Sequence, residues 1–170
     1  MTTTTLKPIA ELLGILEQEL KVFLKTLPKD DVYFIGIHSG GAWLAEYLHK
    51  KMSLTIPLGR LDISFYRDDF EQKGLHPEVK PSDLPGSVDK KHIILVDDVV
   101  MTGRTIRAAM NEIFDYGRPS SVTLVSLIEL NARELPIRSD ICAQKLSLSP
   151  TQRVELSGPQ PLSLKIITKP

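Results

Sequence analysis

The chain holds one cysteine, Cys142, among 170 residues. No disulfide can form within it, and a reducing compartment suits it. Excess charge of either sign is also lacking: 21 lysines and arginines balance 21 aspartates and glutamates. A whole-chain basic field that holds nucleic acid nonspecifically is therefore absent, while a local basic patch remains open. No apolar run approaches the roughly 20 residues of a membrane-spanning helix. The opening MTTTTLKP is too short and too polar for a secretory signal, so a soluble cytoplasmic protein is expected. Neither Gly-x-Gly-x-x-Gly nor Gly-x4-Gly-Lys-Ser/Thr occurs, which disfavours a dinucleotide-dependent dehydrogenase and a P-loop enzyme. Hydrophobic residues at 42% and charged residues at 25% are ordinary globular values. The length predicts one domain with a real core.

Apolar residues from Ile9 to Leu27 recur at helical spacing, and Pro28 stops that helix. VYFIGI, 32–37, has the pattern of a strand buried on both faces. Gly40-Gly41 breaks it, and AWLAEYLHKKM continues as a helix. RLDISFYR alternates, with Leu61, Ile63 and Phe65 on one face, and reads as a half-buried strand. The polar stretch after it, about 66–91, is too long for an ordinary connection; such loops are usually functional. HIILVDD and SVTLVSLIEL are two further buried strands. The helix between them carries Ile106, Ala109, Met110, Ile113 and Phe114 on one face and ends in the Gly-then-Pro order of Gly117 and Pro119. After Pro136 the signal weakens, with short strands at RVELSG and LSLKII around Gly158-Pro159. Alternating strands and helices predict an α/β fold with a mainly parallel central sheet flanked by helices.

Ligands in such sheets bind beyond the carboxyl ends of the strands. IILVDDVVMTGRT, 93–105, runs four apolar residues into two adjacent carboxylates, Asp97 and Asp98. Packing does not explain them, because burying unpaired charge is costly. One alternative is that they surface at the strand end and one of them caps the next helix. The other uses the turn that follows. Backbone N–H groups of Met101, Thr102, Gly103, Arg104 and Thr105, at a helix N-terminus, make a concave anion site. Carboxylates suit hydroxyls, or a metal bound to them, one sugar length away. A diol beside a phosphate describes ribose 5-phosphate.

The same stretch closely resembles the thirteen-residue phosphoribosyl pyrophosphate signature of type I phosphoribosyltransferases. LDISFYRDDF, TGRTIRAAM, DYGRPSSV and RELPIRSD resemble, more narrowly, the PyrR group of uracil phosphoribosyltransferases and pyrimidine-operon attenuation regulators. The resemblance implies that Asp97 and Asp98 bind the ribose hydroxyls, and Mg²⁺ through those hydroxyls or water, while 101–105 binds the 5-phosphate. His38, Ser39, Gly40 and Gly41 inherit the pyrophosphate loop. The segment 65–76 resembles the flap that closes over the substrates; Arg67 is its pyrophosphate contact and a catalytic residue with Asp97 and Asp98. Asp68 and Asp69 either bind through Mg²⁺ or hold Arg67. The hood, about 128–142, implies that Ile128, Glu129, Leu130 and Arg133 read uracil. Met101 stands where purine members often have an aspartate, which points to a pyrimidine.

Two departures stand out. PyrR proteins often carry an arginine in the pyrophosphate loop, where this chain has His-Ser-Gly-Gly. Their Arg-Gly-His-Arg-Glu hood is Leu130-Asn131-Ala132-Arg133-Glu134 here, so two groups that could contact RNA phosphates are missing. Three readings follow: an enzyme making UMP from uracil and phosphoribosyl pyrophosphate, an RNA-binding attenuation regulator sensing UMP, and a nucleotide sensor without turnover. The intact acidic pair and phosphate turn favour the first. A homodimer or larger assembly is implied by the resemblance, and the helix 9–27 either contributes to its interface or packs wholly within one subunit.

Overall fold

The computed structural model describes residues 3–63 and 82–168. Helix α1 (Ile9–Leu24) is followed by β1 (Val32–Ile37), α2 (Gly40–Lys51) and β2 (Leu58–Leu61). Then come β3 (His92–Val100), α3 (Arg104–Tyr116), β4 (Ser121–Leu130), β5 (Ile141–Leu146), β6 (Gln152–Ser157) and β7 (Ser163–Thr168). The first five strands form one parallel sheet in the order β2-β1-β3-β4-β5. The last two form an antiparallel hairpin.

Side chains alternate across the sheet because successive Cβ atoms point to opposite faces. Phe34, Ile94, Val96, Val125 and Leu127 join Leu12, Leu16 and Leu20 of α1 and Leu44, Ala45 and Leu48 of α2 in one core. Tyr33, Ile35, Ile93, Leu95 and Leu124 join Ile106, Ala109 and Ile113 of α3 in the other. The buried leucines of α1 therefore serve this chain's own core. The hairpin β6–β7 leans on the first core through Leu156, and Gly158 lies against the Trp43 ring.

Several expectations shift. The first helix ends at Leu24, three residues before the last apolar position of its repeat, because the turn 23–27 already closes there. Gly40 and Gly41 do not stand between strand and helix; they are the first residues of α2. The half-buried strand begins earlier, at Leu58, and stops at Leu61. Leu61 and Ile63 are both fully buried, as their alternation requires, while Phe65 lies outside the described residues. The final part of the long connection, 82–91, belongs to the body: Val88 is fully buried in the α3-side core, and the backbones of Arg60 and Asp83 exchange two hydrogen bonds. The strand β5, in the stretch where the sequence signal weakens, completes the sheet.

Strand order 2-1-3-4-5 means the chain winds one way from β1 to β2 and the other way from β3 to β5. Right-handed crossovers then place α2 and α3 on opposite faces. The crevice of an open sheet forms where the winding reverses, between β1 and β3, and both connecting turns open onto it.

Candidate active site

The acidic pair does not end its strand. β1 pairs with β3 only as far as Gly36 opposite Val96. β3 runs on beside β4, with Asp97 opposite Ser126, Val99 opposite Ile128 and Val100 opposite Glu129. Asp97 and Asp98 thus lie where β3 has lost one neighbour and keeps the other. That geometry holds two carboxylates rigidly on a strand while leaving one strand edge open to the crevice. Asp97 is 1% exposed, and its Oδ1 accepts the Asp98 N–H at 3.0 Å. Asp98 is half-buried on the α2 face.

The first turn, His38-Ser39, leads into α2; its peptide bond is cis. The His38 N–H donates to the Leu61 carbonyl at 2.8 Å, continuing the β1–β2 pairing past the strand end. Gly40 and Gly41 are there for space. A Cβ on Gly40 would overlap the Asp98 carboxylate. One on Gly41 would sit 2.5 Å from the Val96 carbonyl oxygen and 2.9 Å from the Asp97 Cα. The α2 N-terminus, the positive end of the helix dipole, therefore lies directly on the acidic pair.

The second turn serves α3. Gly103, its N-cap, has φ +94°, a left-handed conformation that favours glycine. The Arg104 N–H donates to Thr102 Oγ1 at 3.2 Å. Amides of the first helical turn have no acceptor within the helix, which makes such a terminus an anion site. This turn is braced from the far side. The N–H groups of Glu134 and Leu135 donate to the Thr102 carbonyl at 3.1 and 3.0 Å. Arg104 Nε pairs with Glu134 Oε2 at 2.8 Å, and a Cβ on Gly103 would meet Leu135 and Ile137 at 3.3 and 3.2 Å. The turn and the hood thus form one substructure.

The hood encloses a cleft of about 320 Å³. Of the expected uracil readers, Glu129, Leu130 and Arg133 line it; Ile128 does not, being fully buried in the core. Met101, 42% exposed, forms part of its wall beside Val100. Arg138 and Lys145 also line it and were not singled out from the sequence. The signal for Arg138 was available in RELPIRSD, but Lys145 sits on a strand the sequence left unmarked. Glu129 is committed to structure: Oε2 accepts the Ser139 N–H at 2.7 Å, and Oε1 lies 3.9 Å from Lys145 Nζ. Ser126 and Ser139 share a hydrogen bond at 2.6 Å, and Asp140 accepts the Leu124 N–H at 2.8 Å. These contacts fix the segment 137–140 on the sheet.

A family model described as the phosphoribosyl transferase domain matches residues 4–150. The chain belongs to the phosphoribosyltransferase family. Within it, the PyrR proteins are its relatives. The bifunctional protein PyrR of Pseudomonas aeruginosa is 57% identical over 156 residues, 92% of each chain. That of Pseudomonas fluorescens is 52% identical over 157 residues, 92% of this chain and 94% of the relative. Among solved structures, a hypoxanthine phosphoribosyltransferase from Staphylococcus aureus superposes with a TM-score of 0.65 at 17% identity, over 86% of this chain and 78% of that one. A purine phosphoribosyltransferase from Pyrococcus horikoshii gives 0.60 at 22%, over 84% and 87%. Both match the fold of this phosphoribosyltransferase.

Arg67, Asp68 and Asp69 lie outside the described residues. Of the described residues on either side, the Asp62 N–H donates to Ser82 Oγ at 3.1 Å, and that hydroxyl donates to Glu112 of α3. Cys142 offers no nucleophile. Burial pushes its thiol pKa up, and Sγ donates to the Gln144 carbonyl at 3.2 Å. Among the described residues no helix is long and apolar enough to cross a membrane.

Proposed function

We propose that this phosphoribosyltransferase transfers the ribose 5-phosphate of phosphoribosyl pyrophosphate to uracil, giving UMP and pyrophosphate, in the cytoplasm. The observation that carries this reading is the placement of Asp97 and Asp98 in a crevice flanked by two helix N-termini, with the hood cleft alongside. The acids accept hydrogen bonds from the ribose 2- and 3-hydroxyls. The turn 101–105 holds the 5-phosphate, and the turn 38–41 holds the pyrophosphate. Backbone groups around Glu129, Leu130 and Arg133, with Met101, hold the base, and Arg67 contacts the pyrophosphate.

In the reaction, the bond from C1 to the pyrophosphate oxygen breaks, and pyrophosphate leaves with the electron pair. Uracil N1 bonds to C1 and its proton passes to solvent. The developing positive charge on the sugar needs no covalent nucleophile. Positioning and charge stabilisation at the leaving group suffice. The α2 N-terminus at Gly40-Gly41 contributes its dipole to that leaving group, which offsets the missing arginine.

Mg²⁺ fits this donor set in a particular way. Two adjacent carboxylates are hard oxygen donors, but the described residues contain no group of three His, Cys, Asp or Glu able to hold a metal. Mg²⁺ gives up its waters reluctantly and prefers substrate phosphates with one or two carboxylates. Asp97 and Asp98 would hold it through ribose hydroxyls or water, and it would neutralise the charge on the departing pyrophosphate.

The decisive assay incubates purified protein with uracil, phosphoribosyl pyrophosphate and Mg²⁺ and measures UMP. Formation of UMP is expected; tight UMP binding with no turnover would replace the enzyme with a sensor. A second reading, RNA-dependent regulation of pyrimidine genes, has its own observation: Arg133, Arg138 and Lys145 are all exposed around the hood, and the relatives are named bifunctional. A gel shift with a pyrimidine-operon leader RNA, at stated salt, tests it. The exposed Phe114 and Tyr116 of α3 supply apolar surface for a homodimer or larger assembly, which sedimentation measures.

A further inference from the structure

A second hollow lies at the other end of the sheet. It has a volume of about 970 Å³ and is bounded by α1, the 52–57 connection and the start of β1. Helix α2 separates it from the crevice: Lys51 at its last turn faces the hollow, while Gly40 at its first lies on Asp98. Twelve residues at about 1.5 Å each make that separation about 18 Å.

Four lysines ring the hollow: Lys21, Lys25, Lys29 and Lys51. All four are exposed. None forms an ion pair among the described residues. Two carboxylates stand against the four ammonium groups, Glu17 and Asp30, and Glu17 already accepts the Tyr47 hydroxyl at 3.2 Å. The helix dipole accounts for a lysine in the last turn of each helix. It does not account for Lys29, beyond the end of α1, and Lys25, the C-cap residue, comes four after the last-turn Lys21, a spacing at which like charges repel. In a chain of zero net charge this is a local excess. The lining is otherwise mixed: Gln18, Ser53 and Thr55 are polar, while Leu24, Leu54 and Ile56, half-buried, and Val32, buried, are apolar. The volume lies in the range of small-molecule sites, about 300–1,000 Å³.

An apolar patch within a ring of unpaired point charges suits one chemistry. We propose that this hollow binds a small organic polyphosphate, its flat or aliphatic body on Leu24, Leu54 and Ile56 and its phosphates among the four lysines. Lysine is a point-charge partner for phosphate, and the site is separate from the substrate crevice.

The test titrates the full-length, ¹⁵N-labelled protein with ATP and, separately, with inorganic tripolyphosphate, and reads amide shifts. Shifts are expected at 14–25 and 51–57, with ATP binding more tightly than tripolyphosphate because only ATP has a body to place on the apolar patch. Lys21→Gln with Lys25→Gln should weaken ATP binding at these amides at least ~10-fold, the loss of about 1.4 kcal/mol; Lys29→Gln with Lys51→Gln should do the same. An unchanged melting temperature certifies that each variant is folded. Shifts confined to 38–41 and 101–105, or equal affinity in wild type and both variants, would overturn the proposal. So would a sedimentation result in which the lysine variants dissociate a dimer, since a second copy would then cover the hollow.

Discussion

The two turns that open onto the crevice do the same kind of work with glycine used for different reasons. In the turn after β1, Gly40 and Gly41 have ordinary helical backbones and are required by space, because α2 begins in contact with Asp98 and the Val96 carbonyl. In the turn after β3, Gly103 is required by its φ of +94° and is seated against Leu135 and Ile137 of the hood. The first turn is tied to the acidic pair, the second to the base cleft. The positions proposed for pyrophosphate, ribose and base are thus linked through close backbone contacts, with the Arg104–Glu134 pair added at the second turn.

The largest expected effect falls on the acids that both turns serve. Asp97→Asn with Asp98→Asn should lower UMP formation by on the order of 100-fold or more, with the circular dichroism spectrum of the wild type. Near-normal turnover would remove the ribose from this strand. Next come the two spatial glycines, which should fail differently. Gly41→Ala drives a methyl into backbone and should cost about 1–3 kcal/mol, read as a lower melting temperature. Gly40→Ala meets a side chain instead; it should displace Asp98 and reduce kcat more than it reduces stability. If both lose only stability, the α2 N-terminus is not aligned with the chemistry.

Gly103→Ala forces a side chain into the left-handed region and should cost roughly 1–2 kcal/mol, with weakened binding of ribose 5-phosphate by calorimetry. A smaller effect belongs to Glu134→Gln. Its pair with Arg104 is about half exposed on both sides, so a few tenths of a kcal/mol is the scale. The backbone bonds to Thr102 persist in that variant, and the KM for uracil should rise only slightly. Last, Cys142→Ala should leave turnover unchanged at every pH measured. The residue is half-buried, burial raises its thiol pKa and Sγ donates to the Gln144 carbonyl, so a loss of rate would reveal chemistry that the site does not otherwise require.

Much of this arrangement could be read from residue order. Three buried strands stood out because strands covered on both faces lose their alternation, and the acid pair stood out because nothing in packing asks for it. The phosphate turn was legible because Thr-Gly-Arg-Thr supplies small residues and hydroxyls at the start of a helix. Other features depend on neighbours distant in sequence. Asp97 and Asp98 seemed to end a strand, since the loss of β1 on one side and continued pairing with β4 on the other is a fact of topology. ICAQKL carries Gln144 and Lys145 because β5 is an edge strand, and that mixed pattern hid it. Gln144 is nonetheless buried, its amide donating to Thr3 and Thr5. Gly40-Gly41 resembled a strand break; only the contacts of Gly40 with Asp98 and of Gly41 with the Val96–Asp97 backbone explain a glycine pair inside a helix. The cations of the hood cleft come from two segments, Arg133 and Arg138 from the hood and Lys145 from β5, which no single stretch of sequence displays together.

The proposed reading of ribose hydroxyls by the acids beside the turn 101–105 is tested directly by calorimetry. Ribose 5-phosphate and 2-deoxyribose 5-phosphate share a phosphate and differ by one hydroxyl. The wild-type protein should bind ribose 5-phosphate about 10-fold or more tightly, because a hydrogen bond to a charged group contributes about 1.5–3 kcal/mol. Equal affinities would contradict the account, leaving a phosphate site with no reader for the sugar.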